Sequence, residues 1–138
     1  DGVLNAIGTV SDPIHFSNYL DDAVGGDTNN DADTTSPVAS WWRGVYVRNS
    51  GSAELRYCTI SYAGYWDAIG LSKSGSGDLK LNRSSIQHTA GSGLRVTEGY
   101  GVLVSEYNRF EGNQYGVRLG VNTSFRDTTS VFAANTDA

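Results

Sequence analysis

The chain has 138 residues, 15 acidic and 10 basic side chains, and a net charge of −5. This length fits one domain, no apolar run approaches the roughly 18 residues of a membrane-spanning helix, and an acidic chain without a basic run argues against nucleic acid or an anionic membrane surface as partner. Glycine is abundant (17) and proline rare (2), a composition typical of short strands and tight turns. We therefore expect a single all-β domain over residues 1–138, without membrane insertion.

Two strands are predicted in residues 3–16. The first run contains Val3, Leu4 and Ile7, and the second has Ile14 and Phe16 on either side of a histidine. Alternation with a period of two is typical of a half-buried strand. We predict that these strands belong to an early turn of a coil.

Residues 18–40 are predicted to be a loop insertion in that turn. Residues 1–42 carry seven acidic side chains and no Lys or Arg. The run 27–33 places oxygen-bearing side chains at alternate positions, and calcium takes about six to eight hard oxygen ligands from a flexible loop. We expect calcium as a cofactor here, with these candidate ligands: Asp27, Asn29, Asp31, Asp33, Asp21 and Asp22.

The calcium prediction competes with a simpler interpretation. An EF-hand needs glycine at its sixth loop position and glutamate at its twelfth, where this chain has Ala32 and Val38. Asp, Asn, Gly and Thr are also ordinary residues of solvated turns. Repulsion among five nearby carboxylates, with no basic side chain in the insertion, favours the cation site.

Aromatic residues precede the next strand and recur one turn later, as Trp41, Trp42, Tyr65 and Trp66. We expect these rings at one corner of the coil, beside an outward Tyr46. Such rings can stack on sugar rings. Alternatively, the two tryptophans anchor the insertion, because a long loop needs apolar contacts; this second interpretation is favoured.

A repeat organises the remainder of the chain. Four segments with a small residue followed by apolar, variable and apolar residues recur at intervals of 24, 25 and 23 residues: Gly44–Val47, Ala68–Leu71, Gly93–Val96 and Gly116–Leu119. A second apolar tract follows each of the first three, at Ala53 and Leu55, Leu79 and Leu81, and Val102 and Val104. A third apolar point recurs at Ile60, Ile86 and Phe110.

This period predicts a right-handed parallel β-helix of about five turns of 23–25 residues, with three short strands per turn. A repeat of roughly twenty to fifty residues is the signature of a structure that stacks on itself. An antiparallel sandwich has no reason to repeat its pattern every third strand. A leucine-rich repeat requires a motif that no repeat of this chain contains.

The tail 131–134 also has the pattern of a core strand, as Val3 and Leu4 do near the start. An open terminal turn exposes stacked core residues and unpaired strand edges. We therefore expect both ends to be covered, by further turns of a longer parent chain or by another subunit. The absence of methionine, even at position 1, also indicates a part of a longer protein.

The chain resembles the right-handed parallel β-helix repeat proteins of bacterial cell surfaces and secretions. The resemblance rests on the repeat together with Gly8–Thr9, Asp12–Phe16, Asp21–Asn29 and Trp42–Gly44. It implies a fold shared with pectate-lyase-like enzymes, secretion or display at the cell surface, and a role within a large exported protein, such as adhesion. Fold alone does not imply activity.

Outward residues of the repeat predict no reaction centre. The outward positions of the first strand are predicted to be Tyr46, Gly70, Arg95 and Arg118. The two arginines could bind an anionic sugar, but glycoside hydrolysis needs two carboxylates and lyase chemistry needs a base. We expect no catalytic residues, and instead a structural or interaction module with a calcium loop. The alternative is a carbohydrate-binding or polysaccharide-degrading, lyase-like protein whose catalytic residues lie outside this chain.

Overall fold

The computed structural model describes residues 2–32, 34–98, 101 and 103–137. This part of the chain contains thirteen strands and no helix, which confirms the all-β class. None of the described residues belongs to a helix long and apolar enough to cross a membrane. The strands are β1 (Val3–Ile7), β2 (Ile14–Phe16), β3 (Val45–Val47), β4 (Ser52–Arg56), β5 (Cys58–Ser61), β6 (Ile69–Lys73), β7 (Leu79–Asn82), β8 (Ser85–Gln87), β9 (Ser92–Val96), β10 (Leu103–Glu106), β11 (Arg109–Glu111), β12 (Tyr115–Leu119) and β13 (Val131–Ala133).

Within the described residues, the strands form three parallel sheets that the chain visits once per turn. The first sheet contains β1, β4, β7 and β10, the second contains β2, β5, β8, β11 and β13, and the third contains β3, β6, β9 and β12. Each strand hydrogen-bonds to its counterparts in the neighbouring turns, so the backbone groups are satisfied between turns. The molecule is a parallel β-helix, as predicted. The described residues form four complete turns and the strand β13 of a fifth, slightly fewer than the about five turns expected.

Among the described residues, the fifth turn has no strand in the first sheet, and a turn around Asp127 lies there instead. Its carboxylate accepts the backbone N–H groups of Thr129 and Ser130 at 3.0 and 2.9 Å. Local side-chain hydrogen bonds of this kind compete with sheet pairing. The same carboxylate accepts the Ser105 hydroxyl of β10 at 2.8 Å, which fixes the turn on the last strand of the first sheet.

Aliphatic and aromatic side chains stack in columns inside the coil. In the second sheet, Ile60 pairs with Ile86, and Ile86 with Phe110, which confirms the third predicted apolar point. All three are at most 1% exposed. Burial of such a side chain contributes about 1.5–3 kcal/mol of transfer free energy, so each column stabilises the stacking of turns.

The register of the third sheet differs from the prediction at β6. Val45 pairs with Leu71 and Leu71 with Leu94, so these intervals are 26 and 23 residues. A shift of two residues preserves the alternation of inward and outward side chains, and the apolar pattern therefore fits both alignments. The small residue of this turn is Gly70, not Ala68. Consequently Gly70 does not lie on the predicted outward column, where Ser72 takes its place.

The first sheet differs from the prediction at β10. Val104 pairs with the exposed Lys80, while Leu103 and Ser105 pair with the inward Leu79 and Leu81. A run of adjacent apolar residues does not specify which face of the strand is buried. The predicted alignment of β10 is therefore one residue out of register. Val102, which was also predicted there, lies outside the described residues.

Buried polar side chains join the turns at two corners. Asn113, 1% exposed, accepts the backbone N–H of Thr89 at 3.1 Å and donates to the carbonyl of Ile86 at 3.0 Å. Asn108 does the same one corner earlier, accepting from Ser84 at 2.9 Å and donating to Leu81 at 2.9 Å. These side chains satisfy backbone groups that the bends remove from the sheets.

Candidate functional site

Three carboxylates converge in the insertion between β2 and β3. Asp22, Asp27 and Asp31 each offer an oxygen, and these oxygens lie within 4.8 Å of one another. Hard oxygen donors at this separation are the donor chemistry that calcium takes. The structure therefore brings together three of the six residues predicted to bind calcium.

The other predicted ligands are placed differently. Asn29 donates its side-chain amide to Asp31 at 2.9 Å and to Thr35 at 2.9 Å, while its buried Oδ1 accepts no hydrogen bond from the described residues. Asp21, only 6% exposed, accepts the hydroxyl of Ser17 and does not belong to the group of three carboxylates. Asp33 lies outside the described residues.

Backbone donors order the loop around two of these carboxylates. Asp27 accepts the N–H groups of Asp31 and Ala32 at 2.9 and 3.1 Å. Asp31 accepts those of Thr34 and Thr35, both at 3.1 Å. Each carboxylate retains lone pairs beyond these bonds, so both can still take part in binding a cation.

The two tryptophans before β3 contact the insertion and the coil. Trp41 packs edge-on against Tyr19 with ring centroids 5.8 Å apart. Trp42 packs on the hydrophobic core and donates its indole N–H to the carbonyl of Ser61 at 2.8 Å. Within the insertion, the buried Asn18 bonds the carbonyl of Val38 at 3.0 Å. These contacts agree with the interpretation that the two tryptophans anchor the insertion to the coil.

An aromatic and arginine surface lies on the outside of the coil near β3. We define this aromatic–arginine surface by Arg43, Tyr46, Arg48, Tyr65 and Trp66. Arg43 lies 5.3 Å from the ring centre of Tyr46 and 5.7 Å from that of Trp66. The guanidinium carbon of Arg48 lies 4.5 Å from the ring centre of Tyr46. This distance allows a favourable cation–π interaction. Tyr65 and Trp66 stack at 5.4 Å, and Trp66 is 78% exposed.

Asp67 joins this surface through hydrogen bonds. One of its carboxylate oxygens accepts from Arg43 at 2.6 Å and from the Tyr46 hydroxyl at 2.9 Å. Hydrogen bonds from these two side chains hold the pKa of Asp67 below its ordinary value. Burial, and then the bond to Asp67, raise the pKa of Tyr46. The carboxylate is thus ionised and engaged, which does not suit it to act as a general acid.

The outward column of the third sheet continues from this surface as Tyr46, Ser72, Arg95 and Arg118. Arg118 lies 5.2 Å from the ring centre of Tyr115. These four described positions include no carboxylate. The column can offer positive charge and hydrogen-bond donors to an anion, but it does not contain the acid–base pair of a glycosidase.

Sequence reasoning missed Arg43 and Ser72. Arg43 contacts two of the predicted residues, Tyr46 and Trp66, and also Asp67. Its position between two tryptophans and Gly44 was a usable signal, because a charged side chain is seldom fully buried. Ser72 was missed through the register shift of β6. Neither error affects the acidic loop, which precedes the repeat.

Comparison with known proteins agrees with this architecture. The family model described as "Right handed beta helix region" matches residues 11–135. The chain belongs to this right-handed β-helix family. None of the curated proteins and none of the solved structures matches it significantly. The comparison therefore establishes the fold of this β-helix. Its function has to be argued from the acidic loop and the aromatic–arginine surface.

Proposed function

We propose that this β-helix is a non-catalytic structural and interaction module of an exported bacterial surface protein. The observation that supports it is that the four described outward positions of the third sheet include no carboxylate. The neighbouring carboxylate, Asp67, is held in hydrogen bonds by Arg43 and Tyr46. Location in a secreted or cell-surface protein rests on the resemblance to exported repeat proteins. The acidic loop and the two ends of the coil carry the specific interactions of the module.

The acidic loop is proposed to bind calcium and thereby stabilise the insertion. Support comes from the convergence of Asp22, Asp27 and Asp31 and from the buried Oδ1 of Asn29. A cation would relieve repulsion among the carboxylates and complete its coordination with other oxygens or water. A ligand that binds only the folded state at about 100 times its Kd adds ~2.7 kcal/mol to stability.

Thermal unfolding with calcium or with EDTA tests this binding. We expect calcium to raise the melting temperature of the unmodified chain by about 5 °C or more, and Asp22→Asn to remove most of the rise. Asp12→Asn, which removes an exposed carboxylate outside the loop, serves as the matched control and should respond like the unmodified chain. Identical melting curves with calcium and EDTA would exclude a calcium loop.

The two ends of the coil are proposed to be covered by further β-helix turns of a longer parent chain. At one end Val3 is 73% and Ile7 40% exposed; at the other, Val131 and Phe132 are each 50% exposed. Phe132 stacks on Phe110 at 5.0 Å, so the aromatic column is open at that end. Parallel strands of a further turn would pair with the free edges and bury these side chains.

Analytical sedimentation of this chain by itself tests whether the two ends need to be covered. Uncovered ends should cause concentration-dependent self-association, which Phe132→Lys should weaken. Trp66→Lys places the same charge on the side of the coil and should leave association unchanged. A monodisperse monomer at all concentrations, with β13 well protected from hydrogen exchange, would contradict the proposal.

The second candidate function is carbohydrate binding at the aromatic–arginine surface, in a lyase-like protein whose catalytic residues lie outside this chain. It is supported by the exposed Trp66 and Tyr65 and by the cations of Arg43 and Arg48 beside them. Exposed aromatic faces stack on sugar rings, and arginines favour acidic sugars.

Binding to a panel of acidic polysaccharides distinguishes the two functions. Carbohydrate binding predicts retention that Trp66→Ala reduces about tenfold. Tyr107→Ala is the matched control, because Tyr107 is also exposed and lies 4.8 Å from Arg83 on another part of the surface. Ultraviolet absorbance of an unsaturated sugar product would reveal lyase activity and would contradict the non-catalytic function.

A further inference from the structure

Lys73 occupies a core position that is apolar in the turns on either side. It pairs with Val47 of β3 and Val96 of β9, which are 5% and 4% exposed, and is itself 2% exposed. A lysine is almost never fully buried unless its charge is paired. Its presence in this column is therefore not explained by packing alone.

The described interactions leave the Lys73 ammonium incompletely satisfied. Nζ donates to the carbonyl oxygen of Gly75 at 3.0 Å, whereas an ammonium has three donors. Burial lowers the pKa of Lys73, and the negative charge of Asp78 opposes this shift. Because burial outweighs the attraction of Asp78, the charged form gains from another acceptor.

A small polar cavity adjoins Lys73. Its volume is about 150 Å³, and its lining includes Lys73, Asn122, Thr123 and Ser124. The Thr123 hydroxyl donates to Gly120 at 2.7 Å, whereas the structure describes no side-chain hydrogen bond for Asn122 or Ser124. Since a water molecule takes about 30 Å³ in the liquid, the cavity has room for an anion of a few heavy atoms.

We propose that this cavity is a binding site for a small carboxylate of about the size of acetate. One carboxylate oxygen accepts from the Lys73 ammonium, and the other accepts from the Ser124 hydroxyl or the Asn122 amide. Charge-assisted hydrogen bonds to a carboxylate are stronger than neutral ones. The anion compensates the buried charge, and this role is independent of the calcium loop and of the aromatic–arginine surface.

Thermal unfolding in sodium acetate against sodium chloride, at equal ionic strength in slightly acidic buffer, tests the site. We expect saturating acetate to raise the melting temperature by about 5 °C. In Lys73→Met the response should vanish although the variant folds, because apolar residues occupy this column in neighbouring turns and replacing a buried charge by an apolar residue is often neutral or stabilising. Lys80→Met, at an exposed position on β7, is the matched control and should retain the full response.

Two further measurements complete the test. Replacement of both Ser124 and Asn122 by alanine should weaken acetate binding about tenfold while leaving Lys73 in place, and acetate should shift the side-chain NMR signal of Lys73. An equal response of the unmodified chain and Lys73→Met to acetate would overturn the proposal, as would the absence of any response in the unmodified chain. A response to inorganic phosphate but not to acetate would overturn the assignment to a carboxylate.

Discussion

Asn113 is a polar residue in the interior of a coil whose neighbouring core residues are aliphatic or aromatic. Its side chain bonds Thr89 and Ile86 of the previous turn, and its backbone N–H donates to Asn135 of the next at 3.1 Å. One residue therefore connects three successive turns at a bend. A buried donor or acceptor that loses its partner costs about 1–3 kcal/mol.

Replacement of Asn113 by alanine is predicted to destabilise the fold by about 2–4 kcal/mol, because it leaves buried groups of Thr89 and Ile86 without partners. Urea denaturation measures this change. Gln114→Ala is the control, since Gln114 is exposed and adjacent in sequence, and it should cost less than about 1 kcal/mol. Equal effects of the two substitutions would show that the Asn113 side chain does not support the bend.

Asp127 gives the molecule a predicted dependence on acidic pH. Burial alone would raise the pKa of Asp127, but hydrogen bonds from Ser130, Thr129 and Ser105 outweigh burial and lower it. The folded state thus binds a proton less readily than the unfolded state. The resulting stability is present above the unfolded pKa of about 3.9 and is lost as pH falls through the lower folded value.

Urea denaturation at a series of acidic pH values tests this dependence. Asp127→Asn should lose stability at neutral pH and should show a smaller further loss below about pH 4 than the unmodified chain. Asp12→Asn removes the same charge from an exposed site and should retain the steeper loss. Parallel curves for the unmodified chain and Asp127→Asn would contradict the role of this carboxylate.

At the scale of strands, glycines permit one corner of the coil to stack closely. A Cβ on Gly77 would overlap the carbonyl of Gly51 in the previous turn, and a Cβ on Gly101 would overlap that of Gly77. Gly51, Gly77 and Gly101 occupy equivalent positions in successive turns, so the same close backbone contact recurs at this corner. Turn spacing along a parallel sheet is about 4.8 Å, which leaves no room for a side chain directed at the backbone of the adjacent turn.

Gly77→Ala is predicted to destabilise the protein by about 3 kcal/mol or more, since the obstructing atoms belong to backbone and cannot move aside independently. Gly2→Ala is the control, because no atom lies within 4 Å of a Cβ built there. Denaturant midpoints of both variants measure the difference. A Gly77→Ala variant as stable as the control would mean that the turns separate at this corner without cost.

Strand periodicity predicted the three sheets but could not determine each register. A shift by two residues, as at β6, preserves which face is buried, and the adjacent apolar residues before β10 fit either face. Lys73 shows why a pattern cannot locate every core position: the interior residue of that turn is charged. The acidic loop was visible because its carboxylates are close in sequence, whereas Arg43 and Asp67, 24 residues apart, meet only once turns are stacked.

The whole molecule is a one-dimensional stack, and its stability should therefore depend on position along the axis. Each turn contacts only its neighbours, so a terminal turn is supported from one side. Phe132 of β13 is 50% exposed, whereas Leu81 of β7 is fully buried between Leu55 and β10. The same loss of apolar atoms should thus cost more in a central turn than at the end.

Hydrogen exchange along the chain is expected to follow this gradient, with the slowest backbone amides in β7 and β8 and faster exchange in β13. Leu81→Ala should cost about 2–5 kcal/mol because it leaves a cavity in a closed column. Phe132→Ala should cost about 1–2 kcal/mol although it removes more atoms, since half of its side chain is already in water. Because neighbouring turns share the core, Leu81→Ala should also accelerate exchange in the strands above and below it, whereas Phe132→Ala should affect mainly β11 and β13. Uniform protection from β1 to β13, or equal costs for the two substitutions, would show that the coil unfolds as one unit without weaker ends.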